Sequence, residues 1–293
     1  RPMYVKEELS HYSADCGAKV ALIGQEVYPG FSDLIGHELD RVIVAAYSDY
    51  ANPDDPLPKP EAVAAPRMGL GAPGVTTWMD ALAAGRFPGE TRTGSQDLCA
   101  MPYTSGSTGA PKGCMHTHAS LIATTVGAVL WENVYADSVA LATAPLFHVT
   151  GMQHSMNAAA FTGATLVIQP RWDAHIAAQL IERHRCTHWA NVPTMVVDLL
   201  SHPQALTHDV SSLQCIFGGG AAMPEAIAQK LYETCGIHYL EGYGMTETIS
   251  QTHMNPANHP KRQCLGIPAF DTTSLIVDPE RFAVLGPGEQ GEI

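Results

Sequence analysis

The residues best suited to chemistry lie in one run, Tyr103-Thr104-Ser105-Gly106-Ser107-Thr108-Gly109-Ala110-Pro111-Lys112-Gly113. It gathers three glycines, four serine and threonine hydroxyls and one lysine. Glycine lets a backbone curl until successive N–H groups point at one anion. The hydroxyls add donors without bulk, and Lys112 adds a mobile positive charge. Such a loop suits a polyphosphate. The apolar runs on either side, Leu98 to Tyr103 and Cys114 to His118, predict that it is anchored as a hairpin.

Two familiar loops are excluded. Counted from Gly106, a Walker A loop would need glycine where Pro111 stands and Ser or Thr where Gly113 stands. The hydrolase pattern G-x-S-x-G fails at Ser105, two residues before Ser107. Gly69-Leu70-Gly71-Ala72-Pro73-Gly74 matches G-x-G-x-x-G formally, but no strand precedes it and it reads as loop. His116, His118, His148 and His154 suggest zinc, with His116 and His118 on one strand face. No acidic third ligand lies nearby, so zinc is not expected there.

The elements that must position the loop follow from periodicity. Apolar runs at 138–143, 164–168, 187–191, 214–217 and 238–240 recur at a spacing that suits βαβ crossovers. Between them Asp173 can cap a helix over 174–185, and Pro193 and Pro224 suit the first turns of two more, the second closed by Gly236. The expected fold is α/β, with mostly parallel sheets flanked by helices and ligands at the carboxyl ends of strands. The segments at 218–221 and 242–247 should each directly follow a strand there. Upstream, helices at 5–16 and 31–39 alternate with strands at 19–23 and 41–45, and a Pro-rich connector covers 52–75. Strand-like runs at 272–277 and 282–285 suggest the start of a small β-subdomain over 264–293, following subdomains at 1–97 and 98–263.

With 293 residues, 45% apolar and 15% charged, the chain is globular. A net charge of −13 offers no bulk attraction for nucleic acid or an anionic membrane, so a nucleotide must be held by local devices. Seven scattered cysteines without a C-x-x-C pair fit reduced thiols in a cytoplasmic protein. No apolar run is long enough to span a bilayer.

Together with Pro145-Leu146-Phe147-His148-Val149-Thr150-Gly151, Gly218-Gly219-Gly220-Ala221 and Tyr243-Gly244-Met245-Thr246-Glu247, the glycine-rich run resembles the adenylate-forming superfamily. These motifs stand in the family's order. The resemblance assigns Thr104, Ser105, Gly106, Ser107, Thr108, Gly109 and Lys112 to the β- and γ-phosphates of ATP. It places Gly219, Gly220, Ala221 and Tyr243 at the adenine, Thr246 at the α-phosphate, Glu247 on Mg²⁺ and His148 beside the acid. It implies a layered α/β large domain, with the lid domain and catalytic lysine beyond Ile293. This chain is then expected to bind ATP weakly and turn over negligibly.

Segments 1–17, 244–256 and 261–268 are similar to fatty and aryl acyl-CoA synthetases. No acid occurs in Pro145–Gly151 to hold an α-amine, so a plain carboxylic acid, fatty in the leading reading, is the implied substrate, with coenzyme A as co-substrate. Transfer to a carrier protein, luciferase-like chemistry, or nucleotide binding without catalysis stay open. The resemblance also allows a homodimer.

Overall fold

Short β-branched runs separated by Pro, Gly and Asp punctuation set the architecture. The computed structural model describes residues 6–104 and 110–293, and the chain forms two compact units, Arg1–Gly94 and Ser95–Ile293.

The first unit begins with α1 (Lys6–Cys16) and β1 (Val20–Gly24), followed by α2 (Tyr28–Phe31), β2 (Arg41–Ala45), α3 (Glu61–Ala64), β3 (Val75–Thr77) and α4 (Trp78–Ala83). The strands form a parallel sheet in the order β1-β2-β3, with Val20 opposite Arg41 and Val42 opposite Val75. Leu9, Leu34, Leu39, Val42 and Val44 make its core. The helix expected over 31–39 does not form. Pro29 starts α2 early, a 3₁₀ turn covers Ser32–Leu34, and Gly36 turns left-handed at φ +82°. Leu34 and Leu39 then both reach the core, joined by a Leu39 N–H to Leu34 carbonyl bond of 3.0 Å. The 69–74 stretch is loop, as expected.

The second unit opens with two nested antiparallel pairs. In the outer pair, β4 (Leu98–Ala100) runs beside the strand that follows the hairpin. The inner pair joins β5 (Tyr103–Thr104) to β6 (Lys112–Gly113), with Thr104 opposite Lys112. The strand completing the outer pair is β7 (His116–Thr117). This is the anchored hairpin read from the flanking residues. His116 and His118 do not share a strand face, because Thr117 caps α5 (His118–Glu132) and draws His118 into the helix.

Next come β8 (Val139–Ala142), α6 (Val149–Gly151), a π-helical stretch over Met152–Asn157 and α7 (Ala158–Thr162), the last three forming one continuous helix. They lead to β9 (Thr165–Ile168), α8 (Ala174–His184), β10 (His188–Asn191), α9 (Pro193–Ser201), β11 (Cys215–Gly218), α10 (Glu225–Cys235), β12 (Tyr239–Met245), β13 (Ser250–Met254) and β14 (Ile267–Pro268). Asp173 caps α8 by accepting the Ile176 N–H at 2.9 Å, and Pro193 lies in the first turn of α9. Pro224 stands one place ahead of α10 rather than inside it, and Gly236 closes that helix at φ +71°.

The large sheet runs β14-β13-β12-β11-β10-β8-β9. Pairing is parallel from β9 to β12 and antiparallel from β12 to β14. Trp189, Ile216, Ile181, Leu200 and Leu231 are fully buried around it. Trp189 stacks on Trp172 with centroids 5.7 Å apart and donates its indole N–H to Thr143 Oγ1 at 2.9 Å. The strand-like runs at 272–277 and 282–285 yield only isolated bridges of Val277 with Val284 and with Glu292. Pro279 lies between them and Pro287 just beyond, and Asp278 Oδ1 accepts the Glu280 and Arg281 N–H groups in a tight turn.

Because Leu231 carries α10 onto the sheet at zero exposure, Leu231→Ala should cost about 2–5 kcal/mol in urea unfolding. Leu130→Ala, on the exposed side of α5, should stay within about 0.5 kcal/mol of the parent.

Candidate active site

Strand β12 carries the centre of the site. Its residues 239–241 pair parallel with β11, while 242–245 pair antiparallel with β13, with a register shift between Tyr243 and Gly244. The 242–245 segment is therefore strand rather than a loop following one. The chain turns only at Thr246–Thr248, in a 3₁₀ turn. This geometry carries Tyr243, Thr246 and Glu247 past the carboxyl end of β11, where Gly218 gives way to Gly219 and Gly220.

A cavity of about 350 Å³ opens there, at the carboxyl ends of β10 and β11. His148, Thr150, Gly219, Gly220, Tyr243, Thr246 and Glu247 all line it. Residues called from three separate motifs thus meet in one place. His148 is exposed and caps α6, its Nδ1 accepting the Thr150 N–H at 3.2 Å. Tyr243 is half-buried, its ring centroid 6.1 Å from that of His253. Ala221, Thr104 and Lys112 are outside the cavity lining. Ser105, Gly106, Ser107, Thr108 and Gly109, assigned above to the phosphates, lie outside the described residues.

The strands around the β5–β6 hairpin are nonetheless tied to the site. His116 Nε2 lies 2.8 Å from the Thr246 carbonyl oxygen and donates to it. Burial pushes the Cys114 thiol up, the nearby Glu247 charge adds to this, and a hydrogen bond with Thr104 opposes it. Thr104 thus bonds the same thiol that the Glu247 charge acts on.

The glycines answer to the sheet before any ligand. A Cβ on Gly218 would lie 2.1 Å from the Asn191 carbonyl oxygen, and one on Gly219 would lie 2.5 Å from that of Gly242. Close backbone packing requires glycine at both. Buried Glu241 holds the loop that follows, accepting the Met223 N–H at 3.1 Å and the Gln263 N–H at 3.0 Å.

One group was not foreseen. The π-helical stretch turns Gln153, His154 and Ser155 into the interior together. His154 Nδ1 meets Glu132 Oε1, and His154 Nε2 lies 2.9 Å from Ser250 Oγ. His154 and Ser250 line the cavity described above. Glu132 borders a second cavity of about 430 Å³ at the amino ends of the strands. Its other oxygen, Oε2, has no hydrogen-bond partner. The signals were weak in sequence: a lone Glu ending a helix and a His one turn past a motif.

Compared with known proteins, residues 1–293 match the model of the AMP-binding enzyme family. The chain belongs to that family. It is 32% identical over 200 residues to a long-chain-fatty-acid–CoA ligase of Bacillus subtilis, covering 67% of this chain and 36% of the relative. It is 34% identical over 213 residues to a feruloyl-CoA synthase of an Amycolatopsis species, covering 72% and 43%. The matched stretches thus span well under half the length of these curated relatives. Among solved structures, an anthranilate CoA ligase, AuaEII, in complex with anthranoyl-AMP superposes with a TM-score of 0.80 at 22% identity, over 99% of this chain and 52% of that one. A benzoate CoA ligase from Burkholderia xenovorans gives 0.78 at 20% identity, over 99% and 53%. These structures share the fold, the layered α/β domain of adenylate-forming enzymes. No helix among the described residues is long and apolar enough to cross a membrane.

Burial raises the Glu132 carboxyl above its ordinary value of 4.5, against the opposing charge and hydrogen bond of His154. A carboxyl raised in the folded state contributes its stability below the unfolded value and loses it as pH climbs through the folded one. Glu132→Gln should therefore lose less stability than the parent as pH rises above 4.5, read as urea midpoints along a pH series. Parallel curves would show that the carboxylate is not held at a cost.

Proposed function

We propose that this chain is the ATP- and acid-binding part of an acid–CoA ligase. In the first step a carboxylate oxygen of the acid attacks the α-phosphorus of ATP and pyrophosphate leaves. In the second, the thiol sulfur of CoA attacks the acyl carbon, AMP leaves and the thiol proton passes to solvent. The observation that carries the reading is the single cavity lined by His148, Gly219, Gly220, Tyr243, Thr246 and Glu247.

The obstacle to the first step is the approach of two anions, which fixed donors and cations must offset. In this reading Lys112, Thr104 and residues 105–109 hold the departing pyrophosphate, and Thr246 donates to the α-phosphate. Gly219, Gly220 and Ala221 border the adenine, and Tyr243 stacks on it. Glu247 fits Mg²⁺, since this hard cation takes one or two carboxylates and completes its shell with phosphate oxygens and water. When bound, it supplies charge neutralisation at the phosphates. His148, at the cavity wall, orients the acid.

A fatty acid is the first substrate reading, in line with the name of the Bacillus relative. A second reading is an aromatic acid, in line with the name of the Amycolatopsis relative. Free cysteines throughout the described residues fit a cytoplasmic setting.

ATP–pyrophosphate exchange by the full-length protein, run against fatty and hydroxylated aromatic acids, tests the proposal. Lys112→Ala and Glu247→Ala should each lower exchange by roughly 100-fold or more. Exchange without any acid, or exchange that survives both substitutions together, would defeat it. Exchange without CoA-thioester formation would point instead to a carrier-protein acceptor.

A further inference from the structure

Away from the cavity, a cluster of histidines brings two ring nitrogens face to face. His175 lies in the first turn of α8 and Glu182 stands two turns further along it. His202 follows the end of α9, and His208 follows a 3₁₀ turn at Ala205–Thr207. None of these residues lines the nucleotide-side cavity.

The nitrogens face each other: His175 Nε2 and His208 Nε2 are 3.2 Å apart. Two imidazoles bound to one tetrahedral zinc, with bonds of 2.0–2.1 Å, place their nitrogens about 3.3 Å apart. The ring centroids are 5.2 Å apart, with the planes inclined by 34°. A collinear N–H···N bond would separate the centroids by the nitrogen distance plus both full ring radii, which is longer. The two rings are therefore bent out of line, a disposition compatible with a cation held between the nitrogens.

The surrounding groups complete the arrangement. His208 Nδ1 lies 2.7 Å from Glu182 Oε2 and donates to it, which leaves Nε2 with its lone pair facing His175. A carboxylate behind a ligating histidine is the usual way to fix its tautomer and raise its basicity. Glu182 is itself held by the Asp209 N–H at 2.9 Å, and Asp209 by Arg185 at 2.6 Å. The His202 ring stacks on that of His175 at 5.8 Å and 10°, restricting its rotation.

We propose that His175 and His208, backed by Glu182, form a two-histidine site for a borderline divalent transition cation such as Zn²⁺, Ni²⁺ or Cu²⁺. Imidazole suits these ions, and water fills their remaining positions. Among the described residues no set of three or more His, Cys, Asp or Glu side chains converges on a metal position, so the site keeps open positions. Its occupant ties the first turn of α8 to the 202–209 loop, and so stabilises the fold by an amount that grows with the logarithm of free metal.

The test is titration of the chelator-stripped protein with Ni²⁺ and Zn²⁺ by calorimetry, alongside Cu²⁺ electron paramagnetic resonance. One equivalent should bind, with superhyperfine splitting from two nitrogens. His175→Ala and His208→Ala should each weaken binding at least tenfold and remove the two-nitrogen signature, and Glu182→Gln should weaken it about 10–100-fold. Circular dichroism of each variant checks that it is folded, and His202→Ala, which leaves both proposed ligands, should retain the splitting. Binding equal in the parent and both ligand variants would assign the metal to thiols or other side chains and overturn the site. Absence of binding to the folded parent would overturn it as well.

Discussion

Close backbone contact around β12 is the constraint on which the active-site region depends. A Cβ on Gly244 would fall 1.9 Å from the Ser250 carbonyl oxygen, and one on Gly219 would collide with Gly242. These absent side chains let β12 exchange a parallel partner for an antiparallel one within seven residues. A strand that stayed parallel throughout would end level with β11. This one continues beyond it and delivers Thr246 and Glu247 over the ends of its neighbours. The His116 bond to the Thr246 carbonyl then attaches the strand that follows the β5–β6 hairpin to the same point. Strand pairing, turn and hairpin are thus one mechanical unit.

The electrostatics are local in the same sense. The chain is strongly acidic overall, yet the groups facing the cavity are mostly glycines, hydroxyls and histidines, with Glu247 at the rim. Long-range attraction would not help a polyphosphate reach this cavity, so the proposed binding rests on donors held in place. Glu132 is the counterpoint, a carboxylate at 1% exposure whose nearest offset is one imidazole. Its burial is a strain on the fold that removing His154 would enlarge, since an unpaired buried charge is costly.

What could be read from the sequence was what is encoded locally. Asp173, Pro193 and Gly236 mark helix ends through their own backbone chemistry, and each does so in the structure. The βαβ rhythm announced the parallel sheet, and the ordered motifs brought His148, Gly219, Tyr243 and Glu247 to one cavity. Features that depend on distant partners were not readable. The Glu132–His154–Ser250 chain joins residues 22 and 96 positions apart. The helix expected over 31–39 had suitable periodicity, but burial of Leu34 and Leu39 from opposite sides of a turn prevailed over it. The second half of β12 looked like a loop because its glycines disfavour strands, and only the backbone of β13 reveals why they are needed.

The π-helical stretch over Met152–Asn157 has a consequence for how this region can vary. A π turn holds one residue more than the α-turn it replaces, so it shifts the helix that follows by about 100°. Val149 before it and Ala158 and Ala159 after it all remain buried, although no single unbroken α-register need align them. The segment therefore acts as a phase corrector between two packing faces. Loss of any one residue within it would restore a plain helix, at the expense of either the wall that carries His154 or the contact that seats Ala158. Length, more than residue identity, is what this part of the site cannot change.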